Sequence, residues 1–396
     1  MTDRITRKTF IRRAAASGSI LTVPGLLAAC GGGGGGGTGT TGGGATTQQL
    51  AKTLHFSNWT LYMDTNKKNH TFPSLVAFQK KYGTHVAYVE DINDNASFYN
   101  SKLRPPLSRG QSTGRDIVVL TDNDRYLGLM LKQGWAEKLD KSAIPNIKNL
   151  IDVQKHPSFD PHRDYTLPWQ SGMTGIAYND TLSDPVMSIS DLLENSKLKG
   201  KITVLNDIGD AMTLVMLANG DDPAHVTDKT WNAAFNRIQK ASQNGQIRAF
   251  TGNDYATSLA NGDLAAAMSW SGDISQIGNK HIHWNVPTDG GAIWTDNMLI
   301  PKGGDVYTAS VYMNYVYDPK VQGLMEAGDP KRNITGIYYI PPVKGAAVWA
   351  KKFNPPIASN PLIFPSTATL NKMHIFDNAA LNNEKYLVQW NNLISG

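Results

Sequence analysis

Apolar residues alternate along 54–59, with Leu54 and Phe56 set against His55 and Ser57, and this spacing predicts a strand. Leu75, Phe78 and Tyr82 then fall on one face of a predicted helix that opens at Pro73 and is followed by Gly83. Residues 84–89 read as a strand, 95–103 as a helix, 116–120 as a short buried strand and 125–133 as a helix stopped at Gly134. Strand and helix in alternation predict a parallel sheet covered on both faces. Segments 164–168 and 175–178 look like a crossing into a second unit. That unit continues with a helix at 191–195 (Ser190 as its cap), a strand at 201–206, helices at 211–219 and 229–241, and a strand at 265–270. Segments 284–289 and 293–301 read as strands returning to the first unit. Two α/β lobes joined by crossovers enclose a cleft, the usual seat of a small ligand.

The N-terminus follows a different pattern. Arg7, Lys8, Arg12 and Arg13 precede an apolar-to-small stretch, 14–29, which is the layout of an export leader. The stretch ends in Leu27-Ala28-Ala29-Cys30, which resembles a bacterial lipobox, so cleavage would leave Cys30 as a lipid-bearing N-terminus. Residues 31–44 are glycine with a few threonines and read as a flexible tether extending to residue 52. A phosphate-loop reading fails there, because neither a Lys-Ser/Thr pair nor an amphipathic helix follows the glycines. Cys30 is the single cysteine, so no internal disulfide or thiolate metal site can form. The leader holds five basic residues and one aspartate, so the net charge of +5 leaves about +1 for the remainder, and no basic patch points to nucleic acid.

In open parallel sheets ligands gather outside the carboxyl ends of the strands. The residues that follow the predicted strands are Trp59, Thr60 and Tyr62; Thr121, Asp122, Asn123 and Asp124; Asp207 and Asp210; Trp270, with Asp273 just beyond; and Trp294 and Asp296. They are aromatic or acidic, with almost no lysine, arginine or histidine. An anionic ligand would need cationic side chains or helix N-termini. Carboxylates and aromatic faces instead suit ammonium groups and the methylene stems between them. Taken singly each residue has a bland reading: Asp207 and Asp210 as helix caps, Trp270 and Trp294 as core, Asp122 and Asp124 as turn formers. It is the agreement among the strand ends that points to a cationic ligand.

The motifs N-W-T-x-Y (58–62), D-I-V-V (116–119), Y-T-L-P-W with G-I-A-Y-N (165–179), L-N-D (205–207), M-S-W-S-G (268–272) and G-A-I-W-T-D-N-M-L-I-P (291–301) resemble, in order, the spermidine/putrescine-binding proteins of ABC importers. The likeness runs from about residue 54 to 342 and weakens beyond. It implies a type II periplasmic-binding-protein fold, α/β, with two lobes, two hinge crossovers and a central cleft. The expected division is 1–29 leader, 30–52 lipidated cysteine and tether, 53–168 with 298–342 first lobe, and 169–297 with 343–396 second lobe. It implies ligand contacts from Trp59 and Tyr62, an acidic pair at Asp207 and Asp210 for one end amine, and a methylene chain sandwiched by Trp270 and Trp294. Asp296 would pair with an inner amine, and Tyr339 would precede a proline-rich turn. Where the family has Ser-Thr-Tyr after its D-L-V-V strand, this chain has Thr121-Asp122-Asn123, losing an aromatic wall and gaining a carboxylate at Asp122. Asp210 is one methylene shorter than the family's glutamate. The resemblance implies a polyamine ligand, a membrane permease and its ATPase as partners, a membrane tether at Cys30, a monomeric exported protein, no nucleic acid and no cofactor.

Two rival readings use other residues. A hydrolase would use Asp207/Asp210 or Asp122/Asp124 as an acid and base flanking the bond, but no Ser or Cys nucleophile motif and no H-E-x-x-H accompanies them. A binder of ferric ion, or of another small cation, on the same fold would use Tyr338-Tyr339, which lies in the wrong part of the chain for that family. His281 and His283 share a predicted strand face without an obvious third ligand.

Overall fold

The computed structural model describes residues 48–395. The leader, Cys30 and the glycine run lie outside the described residues. The first alternating segment forms β1 (Thr53–Trp59), and the two-residue β2 (Thr65–Asn66) follows it. β3 (His85–Ile92) and β4 (Ile117–Thr121) lie parallel to β1 on its two sides. The chain then crosses through β5 (Thr166–Asn179) into a second parallel wing, made of β6 (Ile202–Leu205), β7 (Ile247–Thr251) and β8 (Ala266–Trp270). β9 (Ile282–Asn285) pairs with β5, and β10 (Gly291–Leu299) returns antiparallel to both β5 and β4. β11 (Ile334–Thr335) pairs with β2, and β12 (Met373–His374) with the start of β10. The main sheet thus runs β3-β1-β4-β10-β5-β8-β6-β7, two parallel wings bridged by an antiparallel pair. This is the two-lobed type II α/β arrangement that the sequence implies.

Each wing is buried on both faces, as parallel sheets require. In β4 the side chains alternate: Ile117 and Val119 enter the same core as Leu54, Phe56, Phe78 and Trp169, while Val118 and Leu120 pack with Ile92, Phe98, Leu103 and Leu127. The second wing carries its own core, in which Val204, Val215 and Met268 meet Trp231, and Trp231 stacks on Tyr386 at 4.1 Å between centroids. Among the described residues no helix is long and apolar enough to cross a membrane.

Several expectations shift. The two segments proposed for the first crossing are one strand, β5, whose Trp169 sits in the first core and Ile176 in the second. The helix near 191 is Ile189–Glu194, and its cap is Ser188, not Ser190: the Ser188 hydroxyl accepts the Asp191 N–H, and the Asp191 carboxylate accepts the Ser188 N–H. Ser190 instead accepts from Arg237 at 2.7 Å. The tether ends sooner than residue 52, since the Ala51 N–H donates to Thr308 Oγ1 (2.9 Å) and the Lys52 carbonyl accepts from His85 N–H (2.9 Å). The boundary placed at 343 also moves. Val343 and Ala346 pack into the first core, and the chain joins the second core at Phe376.

Candidate functional site

The strand ends converge. Trp59 at the end of β1 and Tyr62 beyond it, Thr121 at the end of β4 and Asn123 beyond it, Asp207 and Asp210 beyond β6, Trp270 at the end of β8, Trp294 and Asp296 on β10, and Tyr339 all line one cleft, which encloses about 710 Å³ of space, part of it open to solvent. Asp122 is the exception among the candidates. Alternation along the extended chain sends Thr121 and Asn123 into the cleft and Asp122 to the opposite side. There its carboxylate accepts the Thr295 N–H (2.8 Å) and its own N–H donates to the Thr295 carbonyl (2.9 Å). It lines a separate cavity with Arg125 and Asn378. The carboxylate gained at this position clamps β10 and does not face the cleft.

Each acid in the cleft is held by a specific donor. Asp207 caps the helix Ile208–Ala218, its Oδ1 accepting the Asp210 N–H at 2.9 Å, so the capping and cleft-lining readings hold together. Asn123 reaches the same oxygen at 3.4 Å, and Thr121 Oγ1 fixes Asn123 by donating to its Oδ1 at 2.9 Å. Asp210 is 1 % exposed; Oδ2 accepts from the Trp270 indole N–H (2.6 Å), while Oδ1 finds no partner among the described residues. Asp296 accepts from the Tyr62 hydroxyl at 2.7 Å. Asp273, three residues past Trp270, accepts from Tyr339 Oη (2.8 Å), Tyr255 Oη (2.7 Å) and Asn253 Nδ2 (2.9 Å).

The aromatic residues form walls meeting at angles. Trp270 and Trp294 meet edge to face, 6.3 Å between centroids and 79° between planes, so they make a corner and not two parallel plates. Tyr339 continues the wall, 5.7 Å from Trp294 and 5.1 Å from Tyr62. Two glycines make room for these rings. A Cβ at Gly172 would lie 2.2 Å from the Trp294 ring, and one at Gly272 would lie 2.3 Å from the Tyr339 ring. Any side chain at either position would push an aromatic ring into the cleft.

The electrostatics follow from burial without compensation. Asp94, Asp207, Asp210, Asp273 and Asp296 line the cleft, and no lysine, arginine or histidine stands among the described residues that do. Burial pushes Asp296 up to about 8, despite the Tyr62 hydrogen bond. Burial also lifts Asp210 to about 6, with the Trp270 indole opposing. Asp207 is raised well above the ordinary aspartate range by burial and then by the neighbouring Asp210. Asp273 is raised by burial, against the pull of its three donors. Ionised carboxylates in such a site are costly until a cation arrives.

The two sides of the cleft already touch. Tyr339 reaches Asp273, Asn123 reaches Asp207, Gln276 Nε2 donates to the Ile337 carbonyl (3.0 Å), and Arg125 pairs with Glu384 (3.0 Å). Tyr338 does not line the cleft, so the tyrosine pair is not presented together. His281 and His283 both hydrogen-bond Asp180, at 2.9 and 2.7 Å, on the surface. Asp273, Asn206, Asn253, Asn95 and Gln276 line the cleft as well. Asp273 was legible at a strand end; the amides carry no charge or motif to mark them.

Residues 74–364 match the family described as bacterial extracellular solute-binding protein. The chain is 31% identical over 299 residues to the putrescine-binding periplasmic protein PotF of Escherichia coli, covering 68% of this chain and 74% of that one. It is 26% identical over 326 residues to the spermidine/putrescine-binding periplasmic protein of the same organism, covering 80% and 84%. Among solved structures, the Tp0655 (TpPotD) lipoprotein of Treponema pallidum superposes with a TM-score of 0.71 at 20% identity, covering 87% of this chain and 100% of that one. The fold, the matched span and the cleft agree: the chain belongs to the bacterial extracellular solute-binding protein family.

Proposed function

We propose that this protein is the substrate-binding component of an ABC importer and captures a polyamine of the putrescine/spermidine class between its lobes. The observation that carries this reading is a buried cleft walled by tryptophan and tyrosine that holds five aspartates and, among the described residues, no cationic side chain. An ammonium group supplies the missing counter-charge, and a methylene stem lies against the rings. The names of the E. coli relatives support the same ligand class. Closure follows when the ligand binds the closed form better than the open one. The protein then works as a monomer outside the cytoplasmic membrane, tethered through Cys30, and hands its cargo to a membrane permease and its ATPase. It carries out no chemistry on the ligand.

Isothermal titration with putrescine, spermidine and spermine tests the ligand class. At least one is expected to bind tighter than about 10 μM, roughly −7 kcal/mol. No heat with any of the three would retire the polyamine while leaving the fold and family in place. The tether has its own test: Cys30→Ser should abolish incorporation of labelled fatty acid and move the protein from the membrane to the soluble fraction. Unchanged membrane association would remove the anchor from the proposal.

A further inference from the structure

Outside the cleft two carboxyls, Asp64 and Glu326, are more deeply buried than any that lines it. Glu326, in the last turn of the helix Pro319–Ala327, is 0 % exposed. No lysine, arginine or histidine pairs with it among the described residues. Its Oε1 accepts from Gln322 Nε2, one helical turn earlier, at 2.9 Å, and its Oε2 accepts the backbone N–H of Tyr339 at 3.2 Å. The main chain is fastened at the same place: Tyr338 N–H donates to the Glu326 carbonyl (3.2 Å), and Ile337 N–H to the Met325 carbonyl (2.8 Å). Ile340 then exchanges both backbone hydrogen bonds with Ser171 on the crossing strand β5 (2.8 and 2.9 Å).

These bonds hold a conformation that the segment would not adopt unaided. Tyr338 sits at φ 64°, a left-handed backbone that is unfavourable for a bulky residue. The turn at Tyr338 rotates the next residue, Tyr339, into the cleft, where its ring meets Tyr62 and Trp294 and its hydroxyl reaches Asp273 across the lobes. Beside the Glu326 carboxyl lies Gln170, also 0 % exposed, whose two polar side-chain atoms make no hydrogen bond of ordinary geometry among the described residues. Gln170 is the residue on β5 paired with Asp296. A carboxylic acid at 326 satisfies this arrangement better than a carboxylate. It accepts from Gln322 and from Tyr339 N–H, and with no cationic side chain pairing with it among the described residues an ionised carboxylate there would stand uncompensated.

We propose that Glu326 is a positioning residue of the binding site: it is held as an uncharged acid and fixes the turn that presents Tyr339 to the ligand and to Asp273. Burial pushes its carboxyl well above the ordinary glutamate range, in the same sense. The inference rests on the polyamine reading only for its affinity test.

Two measurements separate that reading from this one. Without ligand, hydrogen exchange of the 337–340 segment should quicken in Glu326→Met and stay near wild type in Glu326→Gln, which mimics the neutral acid. With putrescine or spermidine, E326M should bind about tenfold more weakly, the scale of one buried hydrogen-bond group lost, while E326Q stays within about threefold. In a double-mutant cycle the loss in E326M should largely vanish on a Tyr339→Ala background, because both changes act through one ring. The proposal is overturned if E326Q is as impaired as E326M, which would require a charge at 326. Full additivity with Tyr339→Ala, or unchanged exchange in E326M, would equally overturn it. Failure of both E326M and Glu326→Ala to fold would make the residue a stability determinant and end the assignment. If the wild-type protein binds neither amine, the exchange comparison still decides.

Discussion

Asp296→Asn is expected to weaken binding of putrescine and spermidine by about a hundredfold or more, near 3 kcal/mol, as loss of one partner of a desolvated charge pair does. Asparagine keeps the size of the side chain and an acceptor for the Tyr62 hydroxyl, whose 2.7 Å bond otherwise positions the carboxylate. What it removes is the charge that a buried ammonium needs, since no other group replaces it at that wall. Titration calorimetry reads the loss, and thermal unfolding without ligand shows whether the fold survives. The unliganded variant is expected to unfold at the same or a higher temperature at pH 8, because a carboxylate costly to ionise is gone. Affinity within about threefold of wild type would mean that Asp296 is not the ligand's partner, and the acidic pair would inherit the role.

Affinity should also rise steeply with pH, by about a thousandfold between pH 5 and pH 8, at tenfold per unit for each proton displaced. Burial holds the proton on Asp296 up to about 8 and on Asp210 up to about 6. An ammonium group favours the ionised carboxylate, so its arrival expels those protons, and binding weakens wherever they must be removed against their own affinity. Below about pH 6 Asp210 adds to the slope; above about pH 8 the dependence should flatten. Titration in two buffers of different ionisation enthalpy counts the protons released at neutral pH. On the Asp296→Asn background the slope between pH 6 and 8 should largely disappear. A flat profile in the wild-type protein would show that the ligand enters an already ionised site.

Most of the cleft was legible because strand ends in a parallel sheet are set by a few short hydrophobic runs, and the residues just past them can be read off. The runs that end in Trp59, Thr121, Leu205 and Trp270 delivered their followers to one place, and Trp294 and Asp296 join them from within β10. Asp122 went wrong by one step of a period-two pattern. Its neighbours on both sides face the cleft, and nothing local shows that its carboxylate will close on Thr295, which is 173 residues away. The corner made by Trp270 and Trp294 depends on Gly172, on a third segment, and on the Asp210 contact to the indole. Glu326 was invisible for another reason: a single glutamate in the last turn of a helix reads as solvent-facing, and only the return of Tyr339 onto that helix end buries it.

The paired crossing strands have a consequence for how the protein is made. The first core draws on residues from Leu54 to Trp169 and again from Trp294 to Ala346, with the bulk of the second core threaded between them. The second core is finished in turn by Tyr386 and Trp390, near the end of the chain. Neither half can be completed in the order of synthesis. A chain emerging from the ribosome holds an open first half until some two hundred further residues have followed, and such distant contacts form slowly. Until Phe376, Tyr386 and Trp390 arrive the second core stays incomplete, so the two halves reach their packed state late and together.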